Sequence, residues 1–138
     1  MAFPRTPNSR RLALLFAGTD VAVLGLVLHF FVPGDVSSLI ADALFTVLLY
    51  LLFALVLPAA GRIWVALAAF GVSAFIEIAQ LTGVPAALAE SFPAARLVFG
   101  TDFSALDLVA YAVGAAVACA ADTALSQRAL QWRATQTE

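Results

Sequence analysis

The chain has 138 residues, 63% of them hydrophobic and 12% charged, with a formal net charge of −2. This is far more apolar surface than one small soluble core could hide, which excludes an ordinary water-soluble domain and points to a polytopic membrane protein. The slightly acidic balance argues against nucleic acid as a partner, and all seven basic residues are arginine.

Arg5, Arg10 and Arg11 precede the first apolar run, as in a secretory signal. A signal core spans ~7–15 residues before a small-residue cleavage site, whereas this run continues to Val32 and stops at Pro33-Gly34-Asp35. We read residues 11–32 as a first membrane helix, long enough for the ~20 residues that a span requires. Gly18, Ala22 and Gly25 make a small face that leads to His29. Asp20 stands nine positions from His29, about half a turn round, so the two cannot face one pocket. His29 is the neighbour expected for a polar cluster, and Asp20 is left with a contact between chains or an inward-opening cavity.

The second span is expected at 36–57, the third at 63–81 and the fourth at 104–125. Breakers at Pro33-Gly34-Asp35 and Pro58-Ala59-Ala60-Gly61 are so short that neighbouring helices must run antiparallel. The third joint, 82–103, is long. Pro85 suits the first turn of a short helix through Glu90, ended by Phe92 and Pro93. Leu88, Phe92, Leu97, Val98 and Phe99 are expected against the bilayer or the helix tops. After the fourth span, the polar tail 126–138 is expected to stay helical through Trp132 and then fray. The single cysteine, Cys119, lies in an apolar run and reads as a packing residue. The expected fold is an all-α, four-helix membrane bundle.

Arginine is retained on cytoplasmic flanks. An inside N-terminus puts Arg5, Arg10, Arg11, Arg62, Arg128 and Arg133 on the cytoplasmic side, with Arg96 alone outside. Both termini are therefore placed in the cytoplasm and the 82–103 loop outside, in a plasma membrane.

With that orientation, Asp42, Glu77 and Asp107 fall ~5–10 Å below the outer surface on three different helices. Asp42, Thr46 and Tyr50 share one helix face, Ser73, Glu77 and Gln80 another, and Asp107 and Tyr111 a third. An acid within a span costs at least ~2.5–3.5 kcal/mol at the helix centre, so each needs a partner. Arg96 either folds back to neutralise Glu77 or Asp107, or waits at the mouth as a fork for an anionic group. Asp102 could cap the fourth helix, or Ser104 could do so in a capping box completed by Asp107. Asp122 is expected to snorkel towards Arg128. Tyr50 and Trp64 read as packing and interface residues. Ala110, Gly114 and Ala118 form a small stripe that allows close approach of a neighbouring helix.

Glu77-x-x-Gln80-Leu81, Arg96, Gly100, Phe103, Asp107-Leu108, Ala110-Tyr111 and Gly114, together with Asp42-Ala43-Leu44-Phe45, resemble the signature of small bacterial membrane proteins of unknown function related to the VanZ-like family. The likeness runs from about residue 35 to 114. Tyr111 stands where VanZ-like proteins usually carry Asn, which suggests an uncharacterised branch. The resemblance implies a four-helix bacterial plasma-membrane protein, with a link to glycopeptide tolerance through VanZ itself, and implies no substrate.

Three function classes follow. The leading one is an outward-facing pocket that binds or modifies an envelope lipid or lipid-linked glycan, with Glu77 and Asp107 as candidate catalytic acids and Arg96, Gln80, Asp42, Tyr111 and His29 as ligand-binding residues. The second is metal-assisted chemistry on Asp42, Glu77, Asp107 and His29, which no local metal motif supports; no metal or cofactor is assigned. The third is a scaffold whose polar layer locks the bundle while the small stripe recruits a membrane protein partner or a second copy. Transport is disfavoured, because four short-looped helices leave little room for a path.

Overall fold

The computed structural model describes residues 7–99 and 102–136. Arg5 and Gly100, with the side chains of Val98 and Phe99, lie outside the described set. Six helices follow in order: α1 Pro7–Phe31, α2 Asp35–Val56, α3 Arg62–Gln80, α4 Val84–Ser91, α5 Ala95–Phe99 and α6 Ala105–Gln136. Among the described residues, α1, α2, α3 and α6 are the four long and apolar enough to cross a membrane. The expectation of an all-α bundle of four such helices holds.

Local chemistry sets the joints. Gly34 takes φ 127°, which an L side chain rarely adopts, and the Ser37 hydroxyl fastens the corner by donating to the Val32 and Gly34 carbonyls at 2.6 and 2.8 Å. Gly83, at φ 74°, turns the chain out of α3, and Pro85 then sits in the first turn of α4 as expected. Phe92 closes that helix, and the short α5 carrying Arg96 was not anticipated. The fourth span also differs at its far end. No glycine or proline interrupts residues 115–136, and Ala, Leu, Gln and Arg are good helix formers, so α6 runs unbroken to Gln136 instead of fraying after Trp132.

The antiparallel course gathers the starts of α1 and α3 with the far part of α6 at one end, called here the termini end. The opposite, loop end carries α4 and α5. α2 is the hub: it packs on α1, α3 and α6, whereas the backbone of α1 lies close to α2 alone among the described elements. Gly18 and Gly25 of α1 face Leu48 and Leu44, so the small face of this helix meets α2. On the other side, α6 crosses α2 backbone to backbone. A Cβ placed on Gly114 would lie 3.0 Å from the Ala43 carbonyl carbon and 3.1 Å from its Cα, and closer still to the carbonyl oxygen. Ala110, Ala115 and Ala118 are buried beside it, which gives the small stripe its use inside the bundle.

Packing and hydrogen bonds must hold such a bundle, because lipid tails offer helices no hydrophobic reason to associate. Tyr50, Ala54, Val65, Ala69 and Ala118 form the apolar core. Beside it, the fully buried Thr46 and Ser73 hydroxyls bond at 2.8 Å between α2 and α3.

Towards the termini end, Asp122 accepts from the Tyr50 hydroxyl at 2.8 Å and sits 3.3 Å from Arg62 Nε and 3.8 Å from Arg10 Nη2. The expected reach towards Arg128 is therefore corrected. Arg128 lies six residues on and about 240° round the helix, while Tyr50, Arg62 and Arg10 converge from the three neighbouring helices. Tyr50 is buried, as a packing residue should be, and its hydroxyl adds the tie to Asp122; Trp64, 73% exposed at the start of α3, keeps a position suited to an interface.

Candidate functional site

Between the loop end and the middle of the bundle lies a cavity of about 430 Å³. Its walls come from α1, α2, the last turn of α3, α5 and the first turns of α6. Asp42 is seven residues into α2, Glu77 three residues from the end of α3, and Asp107 two residues into α6. At 1.5 Å per residue these depths are ~10, ~5 and ~3 Å. All three acids line the one cavity, with Gln80, Tyr111, Arg96, His29 and Asp102. Asp107 and Glu77 lie close enough to Asp42 for their charges to be felt at its carboxylate. The Gly114 contact holds the α2 backbone at Ala43, next to Asp42, close against α6 one turn beyond Tyr111.

The acids are treated differently. Glu77 is 1% exposed and both its oxygens are used: Oε1 accepts the backbone N–H of Ser104, and Oε2 accepts the Tyr111 hydroxyl at 3.0 Å. A helix start leaves its first N–H groups without intrahelical partners. In a capping box the side chain three residues on answers that need. Here the acceptor for Ser104 comes from another helix, and Asp107 is released from the duty that sequence spacing offered it. The carboxylates of Asp107 and Asp42, both half-buried, make no hydrogen bond or ion pair with another described residue. They face the cavity as open acceptors.

Arg96 is exposed at the rim and forms no ion pair among the described residues, so it stands at the mouth and does not fold back on Glu77 or Asp107. His29 lies on the α1 wall, exposed, edge-on to Phe30 with ring centres 5.0 Å apart. Asp20 does not line the cavity; it is exposed on the far side of α1, in keeping with the half-turn between it and His29. Ser38 lines the cavity one turn before Asp42. It escaped notice although the four-residue face of α2, followed backwards from Asp42, leads to it.

The cavity changes character along its depth. His29, Ser38, Asp42, Arg96 and Asp107 border the part near the loop end, whereas Val21, Ala22, Leu44 and Leu48 line its inner reach. From His29 to Val21 is ~12 Å along α1, and from Ser38 to Leu48 ~15 Å along α2. Polar groups thus occupy one end and hydrocarbon the other. Among the described residues, no three His, Cys, Asp or Glu side chains are arranged to hold a metal ion, so a ligand set drawn from Asp42, Glu77, Asp107 and His29 finds no geometric support.

Residues 31–115, more than half of the chain, match the model of a family described as a protein of unknown function, DUF2809. The chain belongs to this family. The DUF2809 match spans α2 to the early turns of α6, and so takes in every polar cavity residue named above except His29. The match itself shows no VanZ relation. No curated protein and no solved structure matches the chain.

Proposed function

We propose that this DUF2809 protein binds an amphiphile of the outer leaflet, an envelope lipid or lipid-linked glycan, with its head against Asp42, Asp107 and Arg96 and its chain along α1 and α2. The observation that carries this reading is the passage from open carboxylates and a rim guanidinium to an aliphatic wall within one cavity. Carboxylates accept hydrogen bonds from hydroxyl or amine groups, and a planar guanidinium forks onto a phosphate or carboxylate. A phosphate-linked sugar presents both. The excess of arginine at the termini end supports an inside placement for that end, and so an outside placement for the cavity mouth. The VanZ-like resemblance of the same residues agrees with a role in the cell envelope.

Binding is assigned to Asp42, Asp107 and Arg96, with Gln80 and His29 at the rim. Glu77 and Tyr111 shape the site from within the fold, because their polar groups already serve each other and Ser104.

The test is native mass spectrometry of lipids retained by the purified full chain. Asp42→Asn, Asp107→Asn and Arg96→Ala are each expected to deplete one retained species. Ala22→Trp, which fills the apolar reach, is expected to displace the same species while leaving every polar group in place. An unchanged lipid complement in all four variants would sink the reading.

The buried Glu77 also favours the scaffold reading in one respect, since its bonds tie α3 to α6 whether or not a ligand binds. That reading expects hydrophobic replacements at Asp42 and Asp107 to leave retained lipid and envelope phenotype unaltered.

A further inference from the structure

The termini end carries a second constellation, independent of the cavity. Two guanidiniums, Arg10 and Arg62, converge on the single carboxylate of Asp122. That carboxylate is already engaged: Tyr50 donates to Oδ2 at 2.8 Å and Ser126 lies 3.5 Å from Oδ1. Its side chain is 18% exposed, against 43% for Arg10 and 41% for Arg62. One negative charge thus faces two positive charges, and the positive ones are on the outside.

The geometry leaves the arginines with donors to spare. Arg62 brings its buried Nε to 3.3 Å from Asp122 without hydrogen-bonding to it, and its two terminal amino groups make no hydrogen bond or ion pair with a described residue. Arg10 approaches with one amino group at 3.8 Å, beyond hydrogen-bond reach. Arg62 opens α3 and Arg10 lies in the first turns of α1, so both stand where apolar spans end, near the exposed Trp64. This is the level of lipid headgroups, and basic pockets between membrane helices at that level hold anionic heads. A forked guanidinium pair fits a phosphodiester, which presents two unesterified oxygens.

We propose that Arg10 and Arg62 form a cradle for the phosphodiester of an anionic phospholipid in the leaflet at the termini end. Asp122 is a positioning residue: held by Tyr50, it aims Arg62 and cancels one of the two charges. The net single positive charge is what the lipid phosphate answers.

The experiment uses the purified full chain in nanodiscs containing equal phosphatidylglycerol and phosphatidylcholine, with retained lipid read by native mass spectrometry and stability by thermal unfolding. The wild type should keep phosphatidylglycerol preferentially. Arg10→Gln and Arg62→Gln should each lower that preference about fivefold. Arg128→Gln, which removes the same charge outside the cluster, should leave it unchanged. Asp122→Asn keeps an acceptor for Tyr50 but removes the competing charge, and should raise it. Equal losses in all three arginine variants would reduce the effect to general surface charge and overturn the cradle. A fall in Asp122→Asn would do the same. Stabilisation by inorganic phosphate equal to that by phosphatidylglycerol vesicles would overturn the lipid assignment in favour of a soluble phosphate. None of these variants touches the loop-end cavity, so failure here leaves that reading standing, and the reverse.

Discussion

Glu77 shows how one side chain can satisfy its own charge and organise its surroundings. Hydrogen bonds to a charged group contribute about 1.5–3 kcal/mol, and leaving a buried partner unmatched costs about as much. Tyr111→Phe removes one donor, and thermal unfolding is expected to show a loss of about 1–2 kcal/mol. Glu77→Leu abandons both the Tyr111 hydroxyl and the Ser104 N–H, and should cost more than Tyr111→Phe, whereas Glu77→Gln keeps an acceptor for Ser104 and should fall between. Equal stability of Glu77→Leu and wild type would show that these bonds are dispensable. The presence of a buried acid here was legible from its position in an apolar run. Its partners were not, because Ser104 lies 27 positions away and offers a backbone N–H, a group that every residue but proline carries. Spacing alone suggested Asp107 as the local acceptor, and only the packing of α3 against the start of α6 decides between the two carboxylates.

At the level of helices, the bundle depends on the close approach of α6 to the α2 backbone at Gly114. Gly114→Ala inserts a methyl group towards Ala43, where the nearest atoms belong to main chain and cannot rotate away. Overpacking of this kind costs about 1–3 kcal/mol. Because Ala43 adjoins Asp42 in the cavity wall, Gly114→Ala is expected to lower the unfolding temperature and to weaken lipid retention together. Gly71, beside which an added Cβ meets nothing within 4 Å, is the control: Gly71→Ala should not destabilise. Helix faces were readable from four-residue spacing, as Thr46, Tyr50, Ser73 and Tyr111 are all buried. The partner of each face was not, since periodicity orients a helix about its own axis and says nothing of which neighbour it meets. Asp122 illustrates this: the sequence offers Arg128 nearby, and the fold supplies Arg62 and Arg10 from afar.

For the molecule as a whole, four crossings would put residues 7 and 136 on one side, and the excess of arginine there is the ground for the cytoplasmic placement proposed above. Reporter fusions after residue 136 should behave as cytoplasmic, and a reporter inserted between Thr82 and Val84 should behave as external; the opposite pattern would reverse the cavity mouth and remove the case for an outer-leaflet ligand. The number of spans and the short joints could be read directly, because each span needs only length and apolarity. The placement of α1 could not: it leans on α2 alone, joined to α6 at the termini end through Arg10 and Asp122, and this is what leaves room for a cavity along its inner face. The cross-helix cap on Ser104 also bears on biogenesis. While the nascent chain is still shorter than residue 104, Glu77 has neither of its donors, and α3 enters the translocon as a segment with an unanswered acid. Stable integration of α3 is thus expected to wait for α6, and a chain cut short before Ser104 is expected to be more protease-sensitive in cells than the full chain.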